Sequence, residues 1–273
     1  MLAQLLPWDF SPTTLVTVVL AALLFAHGAR RLEQPVRTGQ WIAFYLGLTL
    51  IYAALQTHWD YYAEHMFFIH RLQHFALHDV GPFLLAFSAP GAVLAAGIPG
   101  KLRQWLVQRT RWLHPLRHLV FDPVTATLVF TGSLVLWVWP SIHFDVMISA
   151  WLYKFMNWSV VLGDLPFWLL VLDRRPCPPA RIGPGMRILM LVFAMVPMML
   201  TGAILGLTRH DLYPVYNLCG RTFALSAVTD QQIGGLIIWI PGSTLAVVAA
   251  LIVISRLRNQ PERVSRRSRS GPG

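Results

Sequence analysis

Three histidines, His70, His74 and His78, recur at intervals of four residues. Residues four apart share one face of an α-helix, so each neighbouring pair can present two imidazoles to one metal ion. All three cannot easily share it. Eight residues rise about 12 Å along a helix axis, farther than two imidazoles reach around one ion. A two-histidine pair therefore needs further ligands from elsewhere. His143 is the first candidate, followed by His65, His58 and the carboxylates of Asp60 and Glu64. Imidazole suits copper, zinc, iron and nickel, and thioethers favour Cu(I). Met66 and Met147 stand beside these histidines and lean the choice toward copper. The competing reading is that the histidines hydrogen-bond between helices or line a wet cavity.

The elements that must hold these residues are membrane helices. Hydrophobic residues make up 55% of the 273-residue chain, charged residues only 12%, and the mean hydropathy is +0.54. A soluble domain carries about 25% charged residues, and disorder needs low hydrophobicity with high charge. Both are poor readings here. Stretches without Asp, Glu, Lys or Arg cover 10–29, 38–59, 80–100, 123–144, 188–208 and 231–255. Each is long enough to cross the hydrocarbon core as a helix. A seventh span, 146–172, is interrupted only by Lys154 and Asp164. The third span is expected to start near His65, so its first half carries His65, His70, Arg71, His74, His78 and Asp79.

Loop charge sets the orientation. Segments 28–40, 98–120, 173–187 and 256–273 hold 3, 5, 4 and 6 of the 22 Lys and Arg residues. The alternate segments hold only Arg209 and Arg221, while Arg71 and Lys154 lie within spans. By the positive-inside rule the N-terminus is outside and the C-terminus cytoplasmic. The expected fold is therefore an all-α polytopic membrane protein with seven transmembrane helices. One membrane domain covers 1–256, and a basic, disordered tail covers 257–273. The first span, with no Lys or Arg before it and Arg30 and Arg31 after it, reads as retained rather than as a cleaved signal. The net charge of +10 follows from this pattern and does not call for nucleic acid. Cys177 and Cys219 fit neither a disulfide framework nor a CxxC motif. In this orientation His58, His65, His70, His74, His78, His143 and His210 lie in the outer half, with Asp60, Glu64, Asp79, Asp145, Asp211 and Asp230. They read as a polar cavity opening outward.

Charges within spans are costly and are normally paired. Arg71 with Asp79 or Asp145, and Lys154 with Asp230, are the expected partners. The run Asp230-Gln231-Gln232-Ile233-Gly234-Gly235 opens the last span. Asp230 there can cap the helix, and the glycine pair permits close helix approach. Asp230, Gln231 and Gln232 can equally hold a ligand at the cavity mouth. Pro82, Pro166 and Pro197 fall inside spans and favour kinks. No Walker motif, GxGxxG, nucleophile elbow or HExxH is present, so the chain reads as a binding protein and not an enzyme.

Three segments resemble the CtaG-like cytochrome c oxidase assembly factors of bacterial membranes, a family distinct from the single-span copper chaperone that shares the name. They are His70-Arg71-Leu72-Gln73-His74 with the downstream Pro82 and Ala89-Pro90, Trp139-Pro140-Ser141-Ile142-His143-Phe144-Asp145, and Asp230 to Trp239. Together they cover roughly residues 57–242. The chain departs from the family in three places. Arg71 stands where Met is usual, and His78-Asp79 replaces an apolar pair. Lys154, Asn157 and Trp158 occupy a region that often shows an HxxEH-like pattern. The resemblance implies an inner-membrane, multi-pass factor needed to assemble a terminal oxidase, with oxidase subunits and the lipid bilayer as its partners.

The expected function is copper supply. His70 and His74 bind copper, His143 and His78 complete the site, and Arg71, Asp79, Asp145, Asp230 and Gln231 support it. The alternatives are a haem-binding cytochrome or oxidoreductase, with His74 and His143 as axial ligands, and a metal-free scaffold for oxidase subunits. A transporter is a weaker fit, because the inner halves of the spans are mostly apolar.

Overall fold

The computed structural model describes residues 7–269, with side chains as far as Arg258. The described residues contain helices and connecting turns. In order they are α1 (Pro12–Arg31), α2 (Thr38–Gln56), a short α3 (His58–His65), α4 (Phe67–His74), α5 (Gly81–Phe87), α6 (Gly91–Gly97), α7 (Gly100–Arg109), α8 (His114–Val120), α9 (Pro123–Val138), α10 (Pro140–Met147), α11 (Ala150–Val171), α12 (Pro184–Leu207), α13 (Val215–Cys219) and α14 (Ala227–Arg269). A π-helical turn, Phe75–Val80, joins α4 to α5. α14 continues into the basic tail; residues 270–273, the end of that tail, lie outside the described residues.

Local sequence explains the starts. Ser11, Asp122 and Ser149 stand at N-cap positions and accept from Thr14 N, Thr125 N and Leu152 N. Each bond satisfies one of the amides that a helix start leaves free. Proline opens α1, α9, α10 and α12, where its missing N–H costs nothing.

Four helices are long and apolar enough to cross a bilayer: α1, α2, α12 and the Ala227–Arg258 part of α14. Two further pairs of helices are long and apolar enough only when taken together, and each is bent at a break. The Phe67–Phe87 run turns 74° into α6, and Arg111–Val120 turns 68° into α9. The stretch 80–100, expected as part of one span, is thus broken. Pro90 disfavours the right-handed α conformation at Ala89, which adopts φ 55° instead. A second break at Trp139-Pro140 separates α9 from α10. α11 has 22 residues but carries Lys154, Asn157 and Asp164, which keep it out of the strongly apolar set.

The bent run α4–π–α5 is the centre of the bundle, packed against α2, α11 and α14. α12 and α14 approach most closely through glycine. A Cβ on Gly235 would lie 2.5 Å from the Gly206 nitrogen and 2.7 Å from the Gly202 oxygen. Gly28 of α1 and Gly97 of α6 face each other's backbones in the same way. The glycine pair of the last span therefore does serve close approach. No residue of α7 or α8 is buried. Trp105 in α7 and Trp112 in the turn before α8 lie among Lys101, Arg103, Arg109 and Arg111, a composition suited to the membrane–water interface.

Candidate metal centre

The site is built on α4, whose start is held from another helix. The backbone N–H groups of Phe67 and Phe68 donate to the two carboxylate oxygens of Asp230, at 3.0 and 2.8 Å. Asp230 is fully buried. Its charge is balanced by Arg221, which pairs with Oδ2. Asp230 thus caps α4 rather than its own helix, which Ser226 caps by accepting from Thr229 N. On the other face of α4, Gln73 donates to the Ala54 carbonyl at 2.7 Å and to Asp60 Oδ1 at 2.6 Å. The Tyr153 hydroxyl also donates to Asp60. Bonds to α14, α2, α3 and α11 therefore hold the helix that carries the histidines.

His70, His74 and His143 come together. The His70 and His74 rings stack with centroids 4.7 Å apart, and the His143 ring lies 5.0 Å from His70. His70 and His143 are fully buried and His74 nearly so. Between His70 and His143 stands a hydroxyl. Tyr216 Oη lies 3.0 Å from His143 Nε2 and 3.0 Å from His70 Nδ1.

The direction of this chain of bonds follows from its anchored end, taking the imidazoles as neutral. His143 Nδ1 lies 3.0 Å from the Trp137 carbonyl, which can only accept, so Nδ1 carries the proton. His143 Nε2 is then an acceptor and takes the tyrosine proton. The tyrosine oxygen in turn accepts from His70 Nδ1–H. His70 Nε2 is left as a bare lone pair, fully buried and with no hydrogen-bond partner. His74 Nε2 is likewise buried and unpartnered. Two imidazole nitrogens without partners, on stacked rings, are donors of the kind that suits copper, zinc, iron or nickel alike.

The rest of the expected ligand set is arranged differently. Among the described residues no three His, Cys, Asp or Glu side chains come together as a metal would need. His143 has both nitrogens engaged and acts on His70 through Tyr216. His78 leaves the stripe because it lies in the π turn, whose wider turn rotates it away from the four-residue repeat. Its ring meets Phe130, and its Nδ1 faces Asp164 at 3.5 Å and Asp79 at 3.9 Å. Pro82 has no N–H to give the His78 carbonyl, and the Trp168 indole donates to that carbonyl at 3.2 Å.

Arg71 is buried with the guanidinium 5.1 Å from the Phe67 ring centre, and its Nε and Nη2 lack hydrogen-bond partners. It forms no ion pair with Asp79 or Asp145 among the described residues. Instead Arg71, His74, His78 and Asp79 share a cavity of about 20 Å³, room for about one water with polar neighbours. A roomy cavity opening outward was expected here; the structure buries these residues and leaves only this small space beside them. Asp145 is exposed and stands outside it. Lys154 pairs with Asp9 at 2.7 Å and not with Asp230. Met66 is buried at the kink before α4, and the Met147 sulfur lies 3.9 Å from the Tyr216 oxygen.

Gln231 and Gln232 hold the long loop that precedes them. Gln231 accepts from Leu212 N and donates to the His210 carbonyl, and Gln232 donates to the Thr208 carbonyl. That loop delivers Tyr213 and Tyr216. Tyr213 stacks on Phe67 at 4.1 Å and donates to the Val138 carbonyl at 2.6 Å. The two tyrosines are the site residues that the sequence reading missed. The length of the loop and its tether to Asp230-Gln231-Gln232 were the available signals.

A family model described as cytochrome c oxidase caa3 assembly factor matches residues 22–260. The chain belongs to that family. The match takes in the second half of α1, α2 to α13 and the described side chains of α14, so every residue of the histidine cluster lies inside the assembly-factor domain. No curated protein and no solved structure matches the chain.

Proposed function

We propose that this oxidase assembly factor works in the bacterial inner membrane as a seven-span protein. In this reading its N-terminus is outside, and it carries copper as cargo on His70 and His74 for delivery to an oxidase subunit. The observation that carries the copper reading is the pair of buried, unpartnered Nε2 atoms on stacked rings. The pair lies at the end of the bundle where α14 begins and α2 ends. The loop charges assign that end to the outer side. α11 supplies the seventh span, with its Asn157 and Asp164 buried inside the bundle.

Two features favour the monovalent ion. Met147 places a thioether in the neighbourhood, and the fixed charge of Arg71 opposes a dication more strongly than a monocation. An incomplete ligand set suits cargo that must leave again. His143 becomes a positioning residue, and Asp230, Gln231 and Arg221 hold the loop and helix that set the site. The haem reading has less support, since His143 has no free nitrogen and the space beside His74 is about 20 Å³.

The reading is tested in cells. A host carrying the His70→Ala/His74→Ala double variant is expected to make membranes that contain the factor at normal level but lack oxidase activity. Added copper should restore part of it. Full activity without added copper would refute the cargo role and favour the scaffold.

A further inference from the structure

At the end of the bundle opposite the histidines, a groove of about 1140 Å³ opens between the α1–α2 connection, the end of α5, the segment after α11, and α14. Four arginines from three separate parts of the chain line it: Arg31, Arg37, Arg174 and Arg256. Its one carboxylate, Glu33, pairs with none of them among the described residues.

Orientation by positive charge explains basic residues at this end. It does not explain their convergence. Arg174 and Arg256 both lie against the ring of Phe87, at 5.0 and 5.8 Å from its centre. Arg174 also donates to the Phe87 carbonyl, and Arg256 to the Leu172 carbonyl at 2.8 Å. Both guanidinium groups are thus fixed rather than free to sweep the surface. Partial burial, and then the neighbouring charge of Arg37, push the Arg174 guanidinium below its ordinary value. The carboxylates at hand do not pair with these cations: Glu33 is in no ion pair among the described residues, and Asp173 pairs with Arg175, so the groove favours an anion from outside. Phe87, Val93 and Ile252 give the same groove an apolar wall.

A headgroup charge beside apolar chains is the chemistry of a phospholipid. We propose that this groove binds one anionic phospholipid. Its phosphate meets Arg37, Arg174 and Arg256, with Arg31 at the rim, and its acyl chains lie on Phe87, Val93 and Ile252. The site is independent of the histidine cluster.

The test uses the full chain, purified in detergent and stripped of lipid, then given phosphatidylglycerol, phosphatidylcholine or inorganic phosphate. Bound lipid is counted by native mass spectrometry, and a thermal-unfolding scan is run beside it. Wild type should retain phosphatidylglycerol over phosphatidylcholine. Arg37→Gln/Arg174→Gln should retain about 30-fold less, given the weight of each basic side chain near a charged headgroup. Lys101→Gln/Arg103→Gln removes the same charge from exposed α7, outside the groove, and should behave as wild type. Should the first variant fail to fold, Arg31→Gln/Arg37→Gln carries the same comparison at exposed positions. Equal retention of the two lipids by wild type would overturn the proposal, as would unchanged retention by the groove variants. Stabilisation by inorganic phosphate equal to that by phosphatidylglycerol would make this a free-phosphate site and overturn the lipid assignment.

Discussion

Asp230→Ala is expected to destabilise the protein by about 3–5 kcal/mol, the range for removing one partner of a buried ion pair. Three groups lose their acceptor at once: the amides of Phe67 and Phe68 and the largely buried guanidinium of Arg221. The amides open α4, about one turn before His70, so the loss falls on the helix that carries the histidines. Unfolding in mixed detergent, followed by circular dichroism, measures it. Asp230→Asn keeps an oxygen for one amide but loses the charge, and should fall between wild type and Asp230→Ala. A wild-type unfolding midpoint for Asp230→Ala would show that this cap does not hold α4.

Tyr216→Phe is expected to weaken copper binding by about 10- to 100-fold, the usual effect of removing a group that orients a ligand. The fold should also lose about 1–3 kcal/mol for each buried polar atom left unpaired, here His143 Nε2 and His70 Nδ1. The reason for the binding loss is the tautomer. The tyrosine oxygen accepts from His70 Nδ1–H and so keeps the proton off Nε2. Without it, the form protonated on Nε2 competes, and that form has no lone pair there for a metal. Competition with a chromophoric Cu(I) chelator reads the change in affinity. Unchanged affinity in a folded Tyr216→Phe protein would mean that the relay from Trp137 does not prepare His70.

Much of this arrangement is local and so visible in the sequence. Uncharged stretches mark the helices, and four-residue spacing puts His70 and His74 on one face, where the structure stacks them. His78 fails the same rule because the rule assumes a regular helix. The π turn between Phe75 and Val80 changes the periodicity between His74 and His78, and Pro82 just beyond it was the only local mark. Counting uncharged runs also passes over the breaks at Ala89-Pro90 and Trp139-Pro140, although proline signals both. Long-range partners were not legible. Asp230 looks like a cap for its own helix, but it caps one that starts 163 residues earlier. Arg71, Lys154 and Asp230 were paired by nearness in depth, whereas loops from both ends of the chain supplied Asp9 and Arg221 as the actual partners. Tyr213 and Tyr216 carry no spacing signal, because a loop and not a helix brings them to the histidines.

The central claim is that His70 and His74 hold copper. It is tested most directly by metal analysis with an absorption spectrum on protein purified under reducing, chelator-free conditions, wild type beside His70→Ala/His74→Ala. Near-stoichiometric copper in wild type, lost in a folded double variant, and no haem band in either is the predicted result. Copper retained by the double variant, a haem spectrum, or no copper in wild type reconstituted with Cu(I) would contradict it.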